Sequence, residues 1–307
     1  MTRHAPSPVT VRDARDADLL PVSMLMAPFV PLGDLLPRST KELRFVLQQA
    51  FVAETDGQVV GFAALEIYSW KLAEIQCLSF RETPLRQDIA RQLVLRCAQL
   101  ARWYEILEVL AIVPPALEDV LRGCGFDFAL PNQKRALFIC PADAIAPADE
   151  PPLVGVVLRD AVHADLAAVE EFLTPFVARG EVLPRSTEEL GDLLRHALVA
   201  DAADQVVGFA ALEVYSEKLS EIQCLSVDKA RRQQGIGRRL VLGCVQKARE
   251  HHVAETMAIS LRDQFFVQCG FDHSVVGPKI AMFLKLPKKR TRVEPQRNKN
   301  VVKDNPA

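Results

Sequence analysis

The stretch RRQQGIG, Arg231 to Gly237, has residue types and a spacing suited to holding a phosphorylated ligand. Gly235 and Gly237 leave successive backbone N–H groups uncovered, and a helix opening there adds the positive end of its dipole. Arg231, Arg232 and Arg238 can add charge-assisted hydrogen bonds, with Gln233, Gln234 and Ile236 filling the spaces between. A matching stretch lies 147 residues earlier, where Pro84 to Leu93 reads PLRQDIARQL. There Asp88 and Ala90 stand in place of the two glycines, and a carboxylate repels the anion that the glycines admit. No other set of residues declares a reactive centre by spacing alone. The seven cysteines show neither CxxC nor cysteine–histidine spacing, so no metal is expected, and the six histidines form no pattern with a nucleophile.

The elements that must position this loop occur twice. Leu36 to Ser79 recurs without a gap as Leu183 to Ser226, identical at 30 of 44 positions, which marks an internal duplication. Each half opens with a short strand, VTVRDA from Val9 and VVLRDA from Val156, followed by an Asp-led helical pattern at Asp18 and Asp165. Ser39 with Glu42, and Ser186 with Glu189, have the spacing of a capping box and start a second helix. A hairpin follows in each half, then a strand reading AEIQCLSF or SEIQCLSV. Ile236, Leu240, Cys244 and Ala248 recur at helical spacing, so the glycine loop leads into an amphipathic helix. A strand over AETMAISL, a short helix FFVQCGF and a last strand IAMFLKL are expected to close the second half. These elements predict an α/β protein of two domains, residues 1–140 and 153–287, joined by the linker 141–152 and followed by a basic tail at 288–307.

Composition narrows the partners. With 49% hydrophobic and 25% charged residues and a net charge of −2, the 307-residue chain has the make-up of an ordinary globular protein. From Lys285 onward the charge is +6, which leaves −8 on the rest. PKKRTRV, Pro287 to Val293, resembles a nuclear-import or nucleic-acid patch, but such a run at a terminus reads equally as a solvated tail. An acidic body without interleaved aromatics argues against nucleic acid as the main partner. Apolar runs of membrane-spanning length and a signal-peptide core are both missing, so no membrane association and a cytoplasmic location are expected.

The order of elements, with RxxGxG at Arg232 to Gly237 and CGF ending a late short helix, resembles the GNAT superfamily of acetyl-CoA-dependent N-acetyltransferases. The resemblance covers each half almost end to end. It implies two tandem domains, each with a mixed, mostly antiparallel sheet flanked by helices, the first lacking a working acetyl-CoA loop. More narrowly, LPRSTEEL, VVGFAALEVYSEKLSEIQCLSV and RRQQGIG resemble the acetyltransferase domain of N-acetylglutamate synthases, although the amino-acid-kinase domain that accompanies many of them is missing. Acetyl-CoA is the implied co-substrate, held by Arg231 to Arg238 and by backbone groups of Leu225, Ser226 and Val227.

For the acceptor, the resemblance implies a carboxylate site at Arg185 beside Leu183, lined by Cys224 and Ser260, with Lys279 as a second cation. Arginine suits a carboxylate because its planar fork binds bidentately, though Arg185 also reads as a solvated neighbour of a helix cap. Direct transfer needs a deprotonated amine, and Glu221 is the candidate to accept that proton; the plainer reading is an exposed carboxylate at a strand end. Phe265 and Phe266 stand where many relatives place a tyrosine acid, which excludes that acid here. Tyr215 and Ser216, like Tyr68 and Ser69, face either the site or the core. The first half keeps Arg38, Glu74, Cys77 and Lys134 but has Val113 in place of Ser260. The reading is therefore an acetyltransferase for a small glutamate-like amino acid, with the two halves paired within the chain. Its alternatives are a polyamine, aminoglycoside or peptide-terminus acetyltransferase, and a non-catalytic sensor of acetyl-CoA or an amino acid.

Overall fold

A computed structural model describes residues 8–35, 37–128, 135–144, 153–260, 263–273 and 279–286. The first half runs β1 (Thr10–Asp13), α1 (Leu19–Met26), α2 (Thr40–Val46), β2 (Ala50–Thr55), β3 (Gln58–Ile67), β4 (Leu72–Phe80), α3 (Arg86–Trp103), β5 (Glu108–Val113), α4 (Glu118–Gly123) and β6 (Arg135–Ile139). The second repeats it as β7 (Val157–Asp160), α5 (Leu166–Ala178), α6 (Thr187–Leu193), β8 (Ala197–Ala202), β9 (Gln205–Val214), β10 (Leu219–Val227), α7 (Ile236–Glu250), β11 (Glu255–Ser260), α8 (Asp263–Gln268) and β12 (Ile280–Lys285). Two six-stranded mixed sheets result, mostly antiparallel, in the α/β class that the sequence implies.

Local chemistry places the elements where the residues require. Ser186 N donates to Glu189 Oε2 at 2.8 Å while Glu189 N donates to Ser186 Oγ at 3.2 Å, and Ser39 with Glu42 does the same for α2. The hairpins turn through left-handed pairs, Asp56–Gly57 and Ala203–Asp204, as the twist of two-residue turns demands. Helix α7 buries Ile236, Leu240, Cys244 and Ala248 against its sheet. Gly208 of β9 lets it approach: a β-carbon there would sit 3.0 Å from both Ile236 and Leu240.

The middle of each sheet opens. Strands β10 and β11 run parallel, but their pairing lasts only from Leu219↔Glu255 to Ile222↔Ala258. A bulge between Gln223 and Ser226, with Cys224 at φ +56°, then turns β10 away. Strand β4 parts from β5 after Ile75↔Ala111, with Cys77 at φ +57°. Each half thus holds a V between its two central strands.

The last strands are exchanged. β12 pairs with β5 of the first half, Ile280↔Val113 to Lys285↔Glu108, and β6 pairs with β11 of the second, Thr256↔Ile139 to Ser260↔Arg135. The sequence-based expectation that IAMFLKL closes the second half is corrected by this pairing. Met282 and Leu284 are buried in the first half's core, and Leu137 and Ile139 in the second's. Residues 135–139 and 280–285 thus lie in one sheet and in the other half's stretch of sequence. Leu72, Leu110, Phe138, Leu219, Met257 and Phe283 form a shared core along this seam, and there Tyr68 stacks on Tyr215 at 4.8 Å. Among the described residues no helix is long and apolar enough to cross a membrane. The PKKRTRV run, Lys134 and most of the 141–152 linker lie outside the described residues.

Candidate active site

The glycine loop of the second half is built from its backbone outward. Asp228 accepts from Ala230 N at 2.7 Å and turns the chain off β10. Gln233 and Gly235 take left-handed conformations, φ +65° and +83°, and Gly235 caps α7. Arg232 donates to the Val227 carbonyl at 3.3 Å and pairs with Glu181 at 3.3 Å, which holds the loop against the end of the splayed strand. Arg238, in the first turn of α7, reaches the Gln268 carbonyl. Gln233, Gln234 and Gly235 are exposed, and Gly237 lies under the ring of Phe265, to which a β-carbon would come within 3.3 Å. The N–H groups at the start of α7 therefore face outward with the dipole behind them, beside the free edge of Leu225, Ser226 and Val227.

Below the V lies a hydrogen-bonded cluster. Glu221 is 9% exposed, not an exposed strand-end carboxylate. Tyr215 donates its hydroxyl to Glu221 Oε2 at 2.5 Å, and Gln223 Nε2 lies 2.9 Å from the same oxygen and 2.9 Å from Glu213. Arg185 donates to Gln223 Oε1 and lies 3.9 Å from Glu213. Burial pushes the Glu221 carboxyl up to about 7; the Tyr215 hydrogen bond and Arg185 oppose the rise, while Glu213 and Glu108 add to it. Burial likewise raises the Cys224 thiol, partly offset by Arg185.

Sequence reasoning missed the contribution of the other half. The turn between β3 and β4 carries Trp70, whose indole donates to Glu189 at 2.7 Å, and Lys71. Lys71 is 9% exposed; its ammonium lies 5.1 Å from the centre of the Trp70 ring and has no hydrogen-bond partner among the described residues. Burial and Arg185 depress its pKa, while Glu189, Glu213 and Cys224 oppose that change. A buried ammonium lacking a hydrogen-bond acceptor is costly, and an anion beside it removes the cost. Gln223 was missed too, although its place two residues after Glu221 puts it on the same strand face.

Of the expected acceptor residues, Arg185 and Cys224 gather at this cluster. Ser260 ends β11 across the V, and Leu183 is 52% exposed at the approach to α6. Lys279 belongs elsewhere. Because β12 is exchanged, Lys279 lines a cavity in the first half, with Glu74, Gln76 and Cys77, and its expected place beside Arg185 is corrected.

The first half mirrors the hydrogen-bonded cluster but not the loop. Arg38 donates to Gln76, Tyr68 to Glu74, and Lys218 of the second half reaches Gln76 Oε1 at 3.3 Å. Its helix α3, however, begins at Arg86, three residues before the position matching Ile236, and none of residues 81–89 has a positive φ. Asp88 sits in the first turn and Glu82 pairs with Arg86 at 2.7 Å, so carboxylates occupy the anion-binding end.

Known proteins agree with this geometry. The model of the acetyltransferase (GNAT) family matches the chain twice, at residues 25–126 and 166–271. An uncharacterized N-acetyltransferase of Chlorobaculum tepidum is 33% identical over 120 residues, 39% of this chain and 77% of that protein. An amino-acid acetyltransferase of Neisseria meningitidis is 28% identical over 118 residues, 38% of this chain; the match spans only 27% of that protein. A solved GCN5-related N-acetyltransferase of Sphaerobacter thermophilus is alike in fold over 90% of this chain and 95% of its own, at 17% identity and a TM-score of 0.55.

Proposed function

The chain belongs to the acetyltransferase (GNAT) family through both halves, and from that premise we propose that its second half moves the acetyl group of acetyl-CoA to the α-amine of a small acidic amino acid such as glutamate. The observation that carries the choice of acceptor is the convergence of Arg185 with the buried ammonium of Lys71, which rests over the Trp70 ring and has no hydrogen-bond partner among the described residues. Two cations held apart from bulk water suit a dicarboxylate and oppose a polyamine or aminoglycoside.

The loop from Arg231 to Arg238 would receive the pyrophosphate, and the free edge of Leu225 to Val227 the pantetheine arm. Glu221 takes one proton from the substrate ammonium, and the free amine attacks the thioester carbonyl. As the tetrahedral adduct collapses, the C–S bond breaks and the thiolate takes the proton that the new amide nitrogen loses. Tyr215 and Gln223 hold Glu221 in place. The first half, residues 1–140, serves as a built-in partner that contributes Lys71, Trp70 and the strand β6.

Steady-state kinetics with variants test the acceptor. Arg185→Ala should lower kcat/KM for glutamate about 10- to 150-fold, as expected for a charged hydrogen bond worth about 1.5–3 kcal/mol. Lys71→Met should raise the KM for glutamate about tenfold and leave that for glycine unchanged. Equal effects of Lys71→Met on both amino acids would remove the dicarboxylate assignment.

A further inference from the structure

The first half holds a cavity of about 580 Å³, within the roughly 300–1,000 Å³ range of small-molecule sites. It occupies the V between β4 and β5, where the second half would place its pantetheine arm. At the end where a pyrophosphate would sit, α3 starts early, Asp88 stands in its first turn, and Glu82, paired with Arg86, lines the cavity beside Gln87, so the space lacks the glycine loop that a coenzyme needs. The walls of the V are apolar: Ile75, Leu78, Phe80, Ile112, Val113 and Leu117. The polar lining comprises Glu74, Gln76, Lys218 and Lys279, with Asp34 and Glu255 also on the wall. Lys218 donates to Gln76 Oε1 at 3.3 Å, and an ammonium has three protons to give. Glu74 accepts from Tyr68 and Gln76 through one oxygen, Oε2.

We propose that this cavity is a binding site for a carboxylate carried on an apolar arm, of the N-acyl amino acid kind. The carboxylate meets Lys218 and Lys279, an amide N–H meets the second oxygen of Glu74, and the acyl chain lies along the apolar walls. The two lysines come from the second half and from the exchanged stretch before β12, so the site exists only in the joined chain. This inference does not depend on the acceptor of the second half.

Cys140 provides a local reporter, because it lines the cavity and is partly exposed, while Cys224, also partly exposed, belongs to the other site. The full chain is alkylated with iodoacetamide, with and without N-octanoylglycine, and each cysteine is followed by peptide mass spectrometry. N-octanoylglycine should slow the alkylation of Cys140 at least fivefold and leave Cys224 unchanged. Octylamine, with the same arm and the opposite charge, should protect neither. The Kd should fall about two- to fourfold per methylene between N-acetylglycine and N-octanoylglycine, the gain expected for burying a CH₂ group. Lys279→Glu, checked for an unchanged melting temperature, should abolish the protection. Cys140 alkylated at the same rate throughout, equal protection by octylamine, or protection of Cys224 alone would each overturn the proposal.

Discussion

A carboxylate that must take a proton from an ammonium ion works best when its pKa lies near the working pH, and burial lifts Glu221 to about 7. The sign of the pH dependence follows. Below pH 7 Glu221 is protonated and cannot act as a base, so kcat/KM should climb with pH and bend near 7, with a further limb from the substrate ammonium above it. Glu221→Gln should remove the bend near 7, keep the upper limb, and lower kcat about 10²- to 10⁴-fold. A thiol-release assay from about pH 5.5 to 9 reads both effects. A bend that survives in Glu221→Gln would assign the base to another group. At this scale the resemblance implied Arg185 and Cys224 and the need for a base singled out Glu221, and the structure gathers the three in one cluster. The sequence was blind to Lys71, because a side chain delivered from the other half leaves no spacing signal beside Arg185.

Helix α7 and the loop before it were the most legible element, since two glycines and four apolar residues at helical spacing required both the left-handed turn and the buried face. Replacing Gly235 by Asp tests the loop. At φ +83° an aspartate is strained, by roughly 1–2 kcal/mol, and its carboxylate would stand where the first half places Asp88. Coenzyme A affinity, measured by calorimetry, should fall at least 100-fold while the melting temperature drops by only a few degrees. Unchanged affinity would move the cofactor site elsewhere. The strands β6 and β12 were legible as strands but not as partners. ALFI and AMFL present similar apolar patterns to equivalent edges of β5 and β11, so the sequence alone cannot say which edge each one joins. The position of Lys279 failed with that choice.

Strand exchange and the stacked Tyr68–Tyr215 pair make the two halves one folding unit despite their separate sheets. Residues 1–144 alone would leave β5 without β12, an unpaired edge beside a core that has lost Met282 and Leu284. Each half expressed alone should therefore be unfolded or exchange its last strand with a second copy of itself. Circular dichroism with sedimentation analysis checks this, and a stable folded monomer of either half would contradict it. The first half also reaches the cluster of the second: Trp70 donates to Glu189, and Lys71 lies close enough to Arg185 for the two charges to interact. The account as a whole is tested most directly by thiol release from acetyl-CoA against glutamate, aspartate, glycine, spermidine and an aminoglycoside. Turnover selective for glutamate or aspartate is the predicted result; faster turnover of spermidine or the aminoglycoside than of any acidic amino acid would contradict it.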